Sequence, residues 1–315
     1  MDASPAAARP REITAAAAYA MLVGSPFLFA TGVVIVRGVH ETIPPVGLSF
    51  WRWFIAGLLI LPFVAPRLVR DCHAVAHHWR YYTEMGFYMV GGSAIGAIAL
   101  SFTTATNQSL VNASQPAMTA VFAWMLLHTR LGRWQAAGIA TAAGGIMVMV
   151  SRADLGVVRS LAFNVGDLLM IVTVALYALY GVRLAKLPKD MSFATNLCAM
   201  LLCGSAVLLP FYVAESIVVK PVPTDASALG ILAYLGTVGS LIPVFWWSRA
   251  VPVVGPNQAA VFVNLMPVFA VTLAYMFLDE RLFIYHLAGA ALIFAGISLV
   301  IRAESRTRRE RRAEG

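Results

Sequence analysis

The constraint that dominates this sequence is a succession of ten apolar stretches, each of membrane-spanning length and joined by short polar connections. They cover about residues 15–36, 46–65, 83–102, 107–127, 134–151, 166–183, 194–214, 228–248, 257–278 and 284–301. A span needs about 20 mostly apolar residues. In lipid every backbone polar group must be satisfied within its own segment, so each stretch is predicted to be a helix. Composition agrees: 60% of residues are hydrophobic and 12% charged, whereas a soluble domain carries about a quarter charged residues. So few polar groups cannot cover a water-soluble globule. The fold class is therefore an all-α polytopic membrane protein without an extramembrane domain.

Basic residues set the orientation. With a cytoplasmic N-terminus, seventeen of the 23 Lys and Arg fall on cytoplasmic segments, five on outer segments, and Arg52 lies within a span. That asymmetry supports ten spans with both termini inside, and it accounts for the net charge of +8 without any nucleic-acid partner. The first apolar run exceeds the roughly 7–15 residues of a cleavable signal core, so it is read as a retained span. Residues 1–14 and 303–315 are predicted cytoplasmic tails, the second of them frayed. Cys72, Cys198 and Cys203 show neither disulfide nor metal-ligand spacing.

Residues 116–151 align without gaps to 267–302, with 11 identities in 36 positions. Pro116 pairs with Pro267, Arg130 with Arg281, Gly138 with Gly289 and Gly145 with Gly296. The chain is thus predicted to hold repeat 1 over 15–151, a periplasmic linker over 152–165, and repeat 2 over 166–302. Five spans per repeat give the second copy the opposite orientation. Inverted repeats of this kind surround a central site in many transporters.

Leu278, Glu280, Arg281 and Leu282, followed by Gly289, Leu292 and Gly296, resemble the signature turn and helix of the EamA-type family of the drug/metabolite transporter superfamily. Gly24-Ser25 with Arg52, and Gly166-Asp167, fit the same pattern. In the first half Thr129 stands where the family turn has Glu. The resemblance implies ten transmembrane helices in two inverted five-helix repeats around a central cavity. It also implies a place in the bacterial inner membrane and export of neutral and aromatic amino acids or related metabolites.

Candidate substrate-binding residues follow from helical faces. On the fourth span Asn107, Val111, Ser114 and Met118 share one face, and on the ninth Gln258, Phe262, Leu265 and Phe269. The sixth span adds Tyr177 and Tyr180, the third Tyr88, the eighth Trp246. Pro26, Pro116, Pro243 and Pro267 interrupt their spans, free carbonyls and serve as helix breaks or gates. Asn112, Gln115, Asn257 and Asn264 are amides expected to face the bundle interior. Arg52 reads either as a snorkelling cation or as the partner of a substrate carboxylate. Gly138, Gly145, Gly289 and Gly296 allow close helix packing, within the chain or in a dimer.

No Asp or Glu sits mid-span, which points to a facilitator or exchanger rather than a proton-coupled pump. Neither a catalytic constellation nor a nucleotide motif is present, so no enzyme activity, cofactor or metal is expected. The expected partners are a small-molecule substrate and the lipid bilayer, with a monomer or homodimer in the membrane. The alternatives are an exporter of nucleobases or drugs, an integral-membrane enzyme acting on a lipid-linked substrate, and a channel.

Overall fold

The computed structural model describes residues 14–128, 132–154, 164–184, 186–188, 191–254 and 262–313, with side chains through 302. Thr129, Arg130, Asn257, Gln258, most of the 152–165 linker and the N-terminal tail before Thr14 lie outside the described residues.

The described chain is helical. Helix α1 spans Ala15–Gly38, α2 Pro45–Arg70 and α3 Cys72–His77. Helix α4, Trp79–Gly86, passes through a π-helical turn, Phe87–Gly91, into α5, Gly92–Leu100. Then come α6 (Ala105–Asn112), α7 (Gln115–Leu127), α8 (Arg133–Val150), α9 (Val165–Leu184) and α10 (Phe193–Val218). Helix α11, Ala226–Gly236, passes through a second π turn, Thr237–Leu241, into α12, Ile242–Val254. Helices α13 (Leu265–Leu278) and α14 (Ile284–Ala313) complete the chain.

Six of these units are long and apolar enough to cross a membrane: α1, α2, α9, α10, α11–α12 and α14 up to Arg302. The pair α6–α7, bent by 43°, makes a seventh if taken as one span. The other expected spans are also helical where described. Residues 83–102 hold the α4–π–α5 unit, 134–151 hold α8, and α13 covers 14 residues of 257–278. Beyond the expected end at 301, the backbone of α14 continues helically to Ala313. That tail is rich in Arg and Glu, both strong helix formers.

Local sequence explains where helices begin. The Thr14, Thr104 and Ser192 hydroxyls accept hydrogen bonds from Ala17 N, Asn107 N and Thr195 N, and Asp225 caps Ser227 N and Ala228 N. Each satisfies a backbone donor left unpaired at a helix N-terminus. Three of the four prolines expected to interrupt spans directly follow an irregular turn. Pro116 and Pro267 lie within the first three residues of α7 and α13, and Pro243 is the second residue of α12, just after a π turn. At the first positions of α7 and α13 a missing N–H is harmless. Pro26 is well inside its helix, and α1 runs through it unbroken, as α2 runs through Pro62 and Pro66 and α10 through Pro210.

Several irregularities recur 150 or 151 residues apart. The π turns begin at Phe87 and Thr237. The fourth span breaks at Ala113–Ser114, and α13 starts after a turn at Asn264. Helices α7 and α13 end on left-handed residues, His128 (φ 50°) and Asp279 (φ 52°). Packing follows the same pairing: α1 lies against α12 and α13, while α9 lies against α5 and α7. Helix α2 packs on α10, and α8 on α14. At that last crossing a Cβ on Gly138 would sit 2.6 Å from Gly296 O, and one on Gly145 would sit 2.7 Å from Gly289 O. The four glycines thus pack on one another inside the chain, which leaves them unavailable as a dimer face.

Candidate functional site

A cavity of about 460 Å³ runs between the helices. Helix α1 lines it with Pro26, Phe29, Val33 and Val36, and α2 with Ser49, Arg52 and Trp53. The third span contributes Met89, Ser93 and Gly96, and α6 and α7 contribute Gln108, Asn112 and Gln115. From the second half come Tyr177, Tyr180 and Leu184 of α9, Phe193 and Leu197 of α10, Trp247 and Ser248 of α12, and Val263 and Met266. Most of this wall is apolar or aromatic, with a few convergent polar groups, as small-molecule sites generally are.

Several polar atoms on the wall lack protein partners among the described residues. Six buried side-chain atoms have none among the described residues, and four of them, Ser49 Oγ, Trp53 Nε1, Gln108 Oε1 and Asn112 Oδ1, belong to cavity-lining residues. Unpaired polar atoms in an apolar interior cost about 1–3 kcal/mol each, so their collection around one cavity marks where a polar solute or water must bond.

Arg52 is the one charged residue among those lining the cavity. Its Nε donates to Ser240 Oγ at 2.5 Å and its Nη2 to Gly239 O at 2.9 Å. Both acceptors belong to the second π turn, where the wide turn leaves carbonyls free to pair outside the helix. The guanidinium carbon also lies 5.1 Å from the Trp53 ring centre. The side chain is therefore held inward within the bundle, not snorkelled to a surface.

The expected faces are displaced by one residue. Gln108 and Asn112 line the cavity, whereas Asn107 and Ser114 point elsewhere. Asn107 Nδ2 donates to Asp167 Oδ1 at 3.1 Å, its Oδ1 pairs with His286 Nε2 at 3.0 Å, and Ser114 Oγ donates to Val111 O. Met118 packs against the cluster around Met170 and Ile293. On the ninth span Val263 and Met266 face the cavity. Phe262 packs with Ala18, Leu22 and Ala250, and Phe269 meets the Phe27 ring edge-on at 5.4 Å. One residue is a 100° turn of an α-helix, enough to replace a lining residue by a packing one. Gln258 lies outside the described residues.

Tyr177, Tyr180 and Pro26 line the cavity, whereas Tyr88, Trp246, Pro116, Pro243 and Pro267 are not among its lining residues. The Tyr88 hydroxyl donates to Glu84 Oε1 at 2.8 Å. The Trp246 ring packs where a Cβ on Gly24 would sit, 2.6 Å away, so it fills the α1–α12 interface while its neighbour Trp247 faces inward. The buried Pro243 carbonyl accepts from Ser25 Oγ. Ser49, Trp53 and Gln108 also line the cavity, outside the faces expected from the sequence. Their signal was a polar i, i+3, i+4 pattern, Ser49-Arg52-Trp53, on an apolar helix, continued by amides at 108, 112 and 115.

Among the described residues no group of three or more His, Cys, Asp or Glu could hold a metal ion.

A model of the EamA-like transporter family matches residues 16–151 and 164–302. The chain is 22% identical over 285 residues to the uncharacterized transporter YyaM of Bacillus subtilis, covering 89% of this chain and 92% of that protein. It is 24% identical over 274 residues to an uncharacterized transporter of Archaeoglobus fulgidus, covering 86% of this chain and 93% of that protein. It is also 24% identical to protein PecM of Dickeya dadantii, over 85% of this chain and 78% of that protein. A solved crystal structure shares the fold at a TM-score of 0.58 and 18% identity, over 93% of this chain and 99% of that one.

Proposed function

The chain belongs to the EamA-like transporter family, and from that premise we propose that it exports neutral and aromatic amino acids or related small metabolites by alternating access. It is a multi-pass membrane protein of a transporter family. The finer reading is ten spans in two inverted five-helix repeats, with both termini in the cytoplasm of a bacterial cell and the protein in its inner membrane. The 150–151-residue recurrence of π turns, left-handed helix ends and glycines supports the repeats. So do the mirrored contacts of α1 and α9. The basic-residue asymmetry supports the orientation.

One observation carries the functional reading: a cavity walled by both halves, largely apolar with several aromatic side chains, and bearing unpaired buried polar atoms on α2 and α6. The amides Gln108, Asn112 and Gln115, on the same wall as Arg52, suit a zwitterionic solute whose groups are met by donors and acceptors. Among the described residues none that line it is Asp, Glu, His or Lys, in keeping with a facilitator or exchanger.

The test is counterflow in proteoliposomes containing only this protein, screened against the twenty amino acids, nucleobases and cationic drugs. Saturable counterflow of aromatic amino acids is the expected result. Replacing both Gln108 and Asn112 by Ala should weaken it at least tenfold, whereas Asn107→Ala should alter stability more than the half-saturating concentration. Counterflow of nucleobases or drugs without amino acids would replace the substrate assignment.

A further inference from the structure

Arg52 presents an unmatched charge. None of the described residues lining the cavity is acidic, and among them no ion pair within 4.0 Å joins Arg52 to a carboxylate. Its partners are neutral: a hydroxyl, a peptide carbonyl and an indole face. A cation inside a membrane bundle is costly unless an opposite charge meets it. Ser240 and Gly239 engage Nε and Nη2 along one edge of the guanidinium. The end-on pair of Nη1 and the second Nη2 hydrogen remains, and that fork matches the two oxygens of a carboxylate.

The remaining unpaired atoms divide in kind. Gln108 Oε1 and Asn112 Oδ1 are acceptors one turn apart, and Trp53 Nε1 is a donor beside Arg52. Ser49, Trp53 and Gln108 are 1%, 5% and 8% exposed, so bulk water does not easily serve them.

We propose that Arg52 is the carboxylate-recognising residue of the cavity and that the amide oxygens of Gln108 and Asn112 receive the substrate's ammonium group. This assigns the substrate class as α-amino acids with an apolar or aromatic side chain, the ring lying against Tyr177, Tyr180 and Trp247. The assignment rests on the transport reading above and adds to it a polarity: acid at α2, amine at α6. The second π turn acquires a role in this scheme, because its carbonyl and Ser240 lock the guanidinium with its fork facing the cavity.

The experiment compares four ligands of one shape on the full-length protein in proteoliposomes: phenylalanine, phenylalaninamide, phenethylamine and 3-phenylpropionate. Each competes for labelled phenylalanine counterflow. Wild type should be inhibited by 3-phenylpropionate at least tenfold more strongly than by phenethylamine. Arg52→Gln should lose phenylalanine counterflow about 30-fold or more, as truncating one member of a buried charge pair does, and lose discrimination against phenylalaninamide. Arg52→Lys, which keeps the charge without the fork, should fall between. Gln108→Leu should lower affinity for phenylalanine and leave that for 3-phenylpropionate unchanged.

If wild type moves no amino acid, the transport reading fails and the site is tested by direct binding. Quenching of tryptophan fluorescence by 3-phenylpropionate in wild type but not in Arg52→Gln sustains the carboxylate site, and equal quenching in both overturns it. Equal inhibition of wild type by all four ligands also overturns the proposal, whatever the variants do. So does an Arg52→Gln protein that still prefers phenylalanine over its amide.

Discussion

The two ends of the bundle are fastened by different chemistry. At the end where α1 meets α2 and α5 meets α6, carboxylates bind helix N-termini. Glu215, near the end of α10, accepts from Val46 N at 3.0 Å and Gly47 N at 2.7 Å, and Glu280, in the turn before α14, accepts from Ala105 N at 2.8 Å and Thr106 N at 2.9 Å. Both ties join one half of the chain to the other. Beside them lies a buried network. Asp167 accepts from Thr103 Oγ1 and Asn107 Nδ2. His286 Nδ1 accepts from Phe283 N, so its Nε2 carries the hydrogen donated to Asn107. At the other end, Arg183 pairs with Glu84 at 2.8 Å, with the two side chains 37% and 30% exposed. Tyr82 also donates to Asn196 Oδ1 at 2.7 Å.

A carboxylate on two N-terminal amides satisfies donors that would otherwise be orphaned and sits at the favourable end of the helix dipole. A half-exposed ion pair is worth only about 0–1 kcal/mol. The first end is therefore the firmer closure, and the cavity lining runs from Val36 and Leu100 near it to Leu184 and Phe193 near the second. In the proposed orientation the firm end faces the periplasm.

This contrast can be broken at its strong end. Glu280→Ala combined with Glu215→Ala should lower stability by about 4 kcal/mol, roughly 2 for each lost charged cap, read as a fall in the unfolding midpoint in detergent. In cells the same pair should raise labelling of a Val36→Cys reporter by an impermeant maleimide added outside, and unchanged labelling would remove the closure role. Asp167→Ala comes next, at about 1–3 kcal/mol, because it strips partners from Thr103 and Asn107 at a buried site. Glu84→Ala should be smallest, under about 1 kcal/mol and smaller still in high salt. An effect of Glu84→Ala equal to that of Glu280→Ala would erase the difference between the ends.

Much of this architecture is legible in the sequence. The apolar stretches locate the helices because lipid leaves the backbone no other way to bond. The 151-residue alignment places His128 opposite Asp279, and both terminate a helix in the left-handed region. Cavity residues are harder to read. Asn107 looks like the polar start of a cavity face, but its amide is claimed by Asp167 and His286 from α9 and α14, elements distant in sequence. Local periodicity cannot foresee that competition, and the true face begins one residue later at Gln108. The π turns are likewise silent, since the extra residue shifts the helical phase by about 100° but leaves no mark in spans that are apolar on nearly every face. Asp167 stands near a span end, as expected, yet is 1% exposed. Position along a span says little about burial when neighbouring helices cover its end.

The crossed glycine contacts of α8 and α14 carry a consequence for how such a chain can change over evolutionary time. Gly138 meets Gly296, and Gly145 meets Gly289, so each helix is read against the other like two rulers laid in opposite directions. One residue inserted between 138 and 145 would swing one of those glycines away and bring a bulkier neighbour against the facing backbone. Loops elsewhere can lengthen freely, but the seven-residue interval on one helix can drift only if its counterpart drifts with it.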